Sequence, residues 1–341
     1  MPDLLSFTAI GIFCKRANVY VDPLHPVDKA IITHAHASNA HIGNKIYLTH
    51  EKSLTFLRYK LGTYADVQTL KYGKQISING VKISLHPAGH IPGSSQVRFE
   101  YKGEVWVVSG DYKLEEDFIS KPFESLPCHV FVSEANYGLP FFKWLPQQTV
   151  FTEINNWWRK NANAGIKSIL VTCSLGKAQR ILKNLDTTIA PIYIDEPIDS
   201  INAIYKSLDI DLPQCHSLQN HDSGDISNDG LVMVSPNQLG SAYGLEKYKP
   251  FSIAMASGRM KIDSIRRKSS LDRGFVLSDH ADWIGLNAAI RSSLAERVII
   301  NQGQSVFFSK WLNKRGILAR SITNALEDRW LLNAPAAYMY G

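Results

Sequence analysis

Short apolar runs that each break into a loop carrying a histidine or an aspartate constrain this chain more than any other feature. Lys29–Thr33 (KAIIT) runs into Thr33-His34-Ala35-His36, and KQISI and VKISLHP flank Asn79-Gly80 and lead to the Gly/Pro-rich loop that holds His90. VRFEYKGEVWVV ends in Ser109-Gly110-Asp111, CHVFVSE ends on Glu134, and a late run, GFVLSDHAD, carries His280. Period-two alternation around Asn-Gly and Lys-Gly pairs is the signature of hairpins with two-residue turns. Strands that empty repeatedly into His/Asp loops predict a site assembled along one edge of a sheet.

Two histidines at i and i+2 after a strand can point into one pocket, and neutral imidazole is a preferred zinc ligand. An HxH alone is as well explained by surface histidines, and an acid at a strand end by turn formation. What points to chemistry is the series: His34, His36, His90, Asp111, Glu134 and His280 each follow an apolar strand.

Between residues 142 and 275 the texture changes. The spacing of Val150, Ile154, Trp157 and Trp158 predicts a helix over 147–162. KSILVTC, SLGKAQRILKNL, PIYIDEP, INAIYKSL, LVMVSP and FSIAMASG then alternate strand and helix, as in an α/β layer. The polar, turn-rich stretch 219–230 reads as a surface loop. The expected organisation is a first domain part over 1–141, an α/β insert over 142–275, and a closing part over 276–341.

Bulk properties narrow the class. The 341 residues suffice for two lobes, and 45% hydrophobic against 20% charged residues fits a globular chain. No apolar run approaches the ~18–20 residues of a membrane span, and the N-terminal stretch lacks a signal-peptide pattern, so a cytoplasmic address without membrane association is expected. Four scattered cysteines form no CxxC pair, which argues against a disulfide framework or a cysteine-bound zinc. The net charge of +6 suits a polyanionic partner.

The order HxH, PAGHIPGS, SGDYK, an acid-ending strand followed by GLP, SLGKAQRIL and RGFVLSDHADW resembles the ligase-associated DNA exonucleases, of the β-CASP branch of the metallo-β-lactamase-fold nucleases, from about residue 10 to about residue 320. The resemblance implies an α/β fold: a metallo-β-lactamase αββα sandwich with an inserted β-CASP α/β cap domain. It implies a zinc-dependent exonuclease acting on DNA or RNA, with roles in DNA repair beside an ATP-dependent DNA ligase and a helicase.

In such enzymes two zinc ions about 3.5–4 Å apart clamp water and the scissile phosphate. By resemblance, His34, His36, His90 and Asp111 hold one ion, and all four are present. The private ligands of the second ion fall at Ser38, Asn39 and Gln302, three neutral residues that bind zinc poorly. His41, two residues past Asn39, would need a shifted loop to compensate. One zinc is therefore expected, with the second site weak or absent. His280, Asp111 and Glu134 are the expected catalytic group, with Glu134 orienting a ligand or the His280 ring.

In the cap, Ser174, Lys177, Gln179, Ser257 and Arg259 are candidates for substrate phosphate, since a helix N-terminus favours anions. Capping by Ser174 is the plainer alternative for the first three. The cap also departs from the family at Asp195-Glu196, Asn237-Gln238-Leu239-Gly240 and Arg259. Two other functions stay open at this stage: a non-catalytic nucleic-acid-binding or scaffold homologue that keeps one structural zinc, and a metallo-hydrolase of a small ester.

Overall fold

A computed structural model describes residues 3–36, 40–222, 224–237, 245–268 and 271–322. The chain divides into two compact units. The first takes the described residues up to Lys143 and those from Asp279 onward; the second is Trp144–Ser278.

The first unit opens with β1 (Ser6–Thr8), β2 (Gly11–Cys14), β3 (Val19–Val21), β4 (Lys29–Ile31), β5 (Ile46–His50) and β6 (Val67–Leu70), which form one sheet in that order. A second sheet begins with β7 (Gln75–Ile78), β8 (Val81–Pro87), β9 (Ser95–Tyr101), β10 (Glu104–Val108) and β11 (Val130–Ala135). The two expected hairpins are there. Asn79 and Gly80 have φ of 50° and 81°, and Lys102 and Gly103 have 49° and 86°, the all-positive pair of a type I′ turn.

The second unit supplies β12 (Lys167–Val171), β13 (Ile192–Ile194), β14 (His216–Ser217), β15 (Leu231–Val234), β16 (Phe251–Ala256) and β17 (Arg273–Phe275). They pair in the order β14-β13-β15-β12-β16-β17, every pair parallel. Parallel strands covered on both faces should read as unbroken apolar runs, and β12, β13 and β15 are buried along their whole length. One face packs on the helix Gln147–Asn163 through Val150, Ile154 and Trp158; the other gathers Val171, Val232, Met255 and Met260.

The chain then returns to the first unit with β18 (Arg297–Gly303) and β19 (Leu318–Ser321). They complete a seven-stranded sheet in the order β19-β18-β11-β10-β9-β8-β7. Alternation fixes the layers. Ile12, Cys14, Val19 and Val21 of the first sheet meet Ile83, Val97, Phe99, Trp106 and Val132 of the second in one core. Residues of opposite parity, Val107, Phe131, Val298 and Ile300, face away and pack under the helices Trp283–Ser292 and Ser305–Lys314 through Leu286, Ile290, Phe308 and Leu312. The fold is an α/β sandwich of metallo-β-lactamase type, with an α/β segment inserted between β11 and β18. No helix among the described residues is long and apolar enough to cross a membrane.

His50, at the end of β5, is a structural histidine, 3% exposed and stacked on Tyr72 with ring centroids 3.5 Å apart. Its Nδ1 accepts the Lys52 N–H at 3.2 Å. Burial, helped by Lys52, lowers its pKa to about 4. The unfolded chain, titrating near 6.5, then binds more protons than the folded one between those values. Stability is therefore full above about pH 6.5 and is lost as pH falls through about 4. A His50→Phe variant should lack this step. In paired urea titrations across pH 7.5 to 4, the stability difference between the two proteins should change by roughly 3 kcal/mol. A flat difference would show that His50 titrates alike in the folded and unfolded states.

Candidate metal centre

The expected histidines meet at the ends of β4 and β8. Backbone geometry admits them there because Gly110, next to Asp111, takes φ 60° and lies so close to Thr33 that a Cβ would come within 2.8 Å of it. His34 is 4% exposed and His90 0%. The ligand atoms of His34, His90 and Asp111 all lie within 4.8 Å of one another. His36 joins them through Nδ1, 3.1 Å from His90 Nε2.

The hydrogen bonds outside the cluster select the ring tautomers. The Thr33 hydroxyl donates to Asp22 Oδ2 at 2.6 Å, so its oxygen is left to accept from His34 Nδ1, 2.9 Å away. That puts the His34 proton on Nδ1 and leaves Nε2 with its lone pair toward the cluster. His90 Nδ1 donates to the Asp279 carbonyl at 2.9 Å, which leaves Nε2 unprotonated in the same way. Burial, reinforced by the neighbouring imidazoles, holds the His90 pKa well below its ordinary value. Such outer hydrogen bonds orient metal ligands and set their basicity.

His34 Nε2 is buried without a hydrogen-bond partner, although it stands 3.2 Å from Asp111 Oδ2. With the ring proton on Nδ1, Nε2 has no hydrogen to give that carboxylate. A buried, unprotonated and unsatisfied imidazole nitrogen facing a carboxylate is what a divalent cation would satisfy. The clustered donors, two imidazoles and one carboxylate with the His36 imidazole beside His90, are of the kind that suits zinc.

Asp111 also belongs to a second cluster, with Glu134 and His280. Glu134 ends β11, 1% exposed, and both its oxygens lie 3.1 Å from His280 Nδ1. It also accepts the Tyr112 N–H at 3.0 Å, so it braces the Asp111 loop and the His280 ring together. Burial opposes charge on His280, but Glu134 and Asp111 overcome it and lift the imidazole to about 9. Burial pushes Glu134 up, against the pull of His280. Asp111 goes the other way: burial would raise it, but His280 and His34 hold it well below the usual carboxylate range.

The expected second-metal positions fare differently. Ser38 and Asn39 lie outside the described residues. Gln302, on β18 opposite Glu134, donates an amide N–H to Asp111 Oδ1. The two ring nitrogens of His41 each lie 3.1 Å from a backbone carbonyl, Ile42 and Pro23, so the ring is engaged away from this centre.

The inserted unit gives one correction. Gln179 does not offer its amide to a phosphate. It is fully buried, its Oε1 accepts the Gly176 N–H at 2.8 Å, and its Nε2 donates to the Ser174 carbonyl and to Asn202 Oδ1. One amide hydrogen is thus committed to the turn before the helix Lys177–Leu182 and the other to the helix Glu196–Ser207. Gly176, not Ser174, caps that helix. Lys177 is buried, Ser174 and Arg259 are half-buried, and Ser257 is buried with its hydroxyl accepting the Arg259 N–H. Asp195 caps the helix Glu196–Ser207 and accepts from the backbone and hydroxyl of Ser235. Of Asn237–Gly240, only the exposed Asn237 is among the described residues.

One functional residue escapes sequence reading: Asp22. It takes φ 43°, unusual outside glycine, and binds the Thr33 N–H and hydroxyl with its two oxygens. Its only sequence signal is an acid directly after a short alternating strand, in Val-Asp-Pro.

Comparison with known proteins adds ancestry. No family model matches the chain. It is 24% identical over 323 residues to a protein of Opitutus terrae named "Probable DNA ligase", covering 93% of this chain and 31% of that one. It is 31% identical over 141 residues to a ribonuclease of Thermus thermophilus, covering 39% and 32%. An endoribonuclease of Yarrowia lipolytica is 29% identical over 126 residues, covering 36% and 15%. The chain thus spans a third or less of the length of these relatives. In structure it is similar to an Enterococcus faecalis protein of unknown function, with a TM-score of 0.58 at 10% identity, covering 86% of this chain and 79% of that one. By their names, these relatives are a probable DNA ligase and two nucleases that act on RNA.

Proposed function

We propose that this chain is a phosphodiesterase acting on nucleic acid at a single-zinc centre, a member of the ligase-associated DNA exonucleases. The observation that carries the reading is the buried, partnerless His34 Nε2 facing Asp111 and His90. His34, His36, His90 and Asp111 would hold the ion. When bound, it supplies Lewis acidity to a phosphoryl oxygen and eases deprotonation of attacking water.

The protein's own groups do the rest. Asp22 and Thr33 fix the His34 ring, the Asp279 carbonyl fixes His90, and Glu134 fixes His280. His280 stands beside His90, ring centroids 5.0 Å apart, where it would contact the scissile phosphate or protonate the leaving oxygen. Ser174, Lys177, Ser257 and Arg259 remain the proposed phosphate contacts of the cap, over residues 142–275. DNA is favoured as substrate, because a protein named as a DNA ligase matches 93% of this chain; an ATP-dependent DNA ligase and a helicase are the proposed partners. The site is expected to work in the cytoplasm.

The test joins two measurements on purified protein: metal per chain, and hydrolysis of end-labelled single- and double-stranded DNA and RNA with zinc or manganese. One ion per chain and metal-dependent shortening from an end are expected. A second reading, a homologue that binds nucleic acid without cutting it, draws on Gln302, which puts a neutral amide where the family has a ligand. One bound ion, retained DNA binding and no hydrolysis under any of these conditions would favour it.

A further inference from the structure

We infer that Gln302 is a positioning residue that stands in for a second cation, holding Asp111 to a one-ion centre. The inference rests on the metal-centre reading above. Asp111 divides its two oxygens: Oδ2 faces His34 Nε2 at 3.2 Å, and Oδ1 accepts the Gln302 amide N–H. The oxygen a second ion would need is thus already engaged by a donor.

The backbone delivers that amide deliberately. β18 runs parallel to β11, and the register shifts between Ser133 and Glu134, so that Gln302 comes to lie across from Glu134. A bulge of this kind re-aims a side chain. Gly303, next in the chain, has φ 73° and approaches Ala135 so closely that a Cβ would fall 2.4 Å from its carbonyl carbon. This close seating fixes where the Gln302 side chain starts.

The chemistry of the exchange is specific. The Asp111 side chain is only 16% exposed, and a carboxylate so shielded from water needs positive or donor groups at both oxygens. A neutral imidazole at position 302 would present either a lone pair or a single N–H, and its value as a ligand appears only when a cation is shared. The sequence has Ser38 and Asn39 where the resemblance implies an acid and a histidine, so such a cation lacks its other ligands. A carboxamide supplies the N–H with no cation. Gln302 is then no remnant of a lost ligand but the group that keeps Oδ2 turned toward the histidines.

The test is zinc affinity by competition with a chelating dye, with cobalt(II) substituted to read the ligand field in the visible spectrum. Gln302→Leu keeps the volume and removes the donor. It should still bind one ion, about 10- to 100-fold more weakly, with a shifted cobalt band and an apo melting temperature within a few degrees of wild type. Gln302→Met gives the same comparison should the leucine variant not fold. A leucine or methionine variant with wild-type affinity and an unchanged cobalt spectrum overturns the role of Gln302 while leaving the metal centre standing. A wild-type protein that takes up no ion sinks the metal centre and this inference with it.

Discussion

Replacing His90 with alanine should empty the metal centre and remove metal-dependent hydrolysis, with zinc content falling from one per chain to near zero. His90 is fully buried, and its ring lies between His34 and His36, with centroids 5.0 and 5.2 Å away. Its loss removes one of three imidazoles and leaves His36 without its neighbour. Lewis-acid stabilisation of a transferring phosphoryl group is worth several kcal/mol, and each 1.4 kcal/mol is a factor of ten in rate. Turnover should therefore fall by at least about 10²–10³-fold.

The informative control is His280→Ala. Its Nδ1 faces Glu134, not the His34–His90–Asp111 cluster, so that variant should keep its zinc and still lose most of its rate. Rate and zinc would then separate: both lost at position 90, only rate lost at position 280. If His90→Ala retains full hydrolysis, the four-residue centre is not where the chemistry happens. Equal zinc loss in both variants would make His280 a ligand and redraw the site.

The sandwich was legible because strand alternation, Asn-Gly and Lys-Gly turns and strand-end histidines are local signals. Ile76 and Ile78 before Asn79-Gly80, and Val81, Ile83 and Leu85 after it, declare one apolar face within ten residues of sequence, and that face is in the core. That His34, His90 and Asp111 come together was legible for the same reason, since each follows its own strand. What was not legible depends on pairing between distant segments. Asp22 reaches Thr33 because β3 and β4 lie side by side, and nothing in the intervening residues announces it. Gln179 looks like a phosphate contact in SLGKAQ until the Gly176 turn draws its amide inward, and the helix expected over 174–185 shortens to Lys177–Leu182. Gln302 read as an absence in the sequence. Its hydrogen bond to Asp111 depends on a register shift between β11 and β18, which no single strand encodes.

That dependence yields the sharpest expected result: restoring all three ligands should reverse the sign of restoring one. Gln302→His alone removes the amide from Asp111 Oδ1 and offers one imidazole to an ion that lacks its other ligands. Metal content should stay at or below one per chain, and activity should not rise. Ser38→Asp, Asn39→His and Gln302→His together supply a carboxylate and two imidazoles to the shared Asp111. Metal content should then approach two per chain and hydrolysis should rise, since a two-ion site clamps both the attacking and the leaving oxygen. The coupling among the three changes follows from their shared ion, and residues that share a partner are not additive. Metal analysis and the end-labelled DNA assay read both quantities on the same preparations. Two ions bound with an unchanged rate would put the limit in the inserted cap. A single Gln302→His variant that gained both metal and rate would mean that the amide never held the place of a cation.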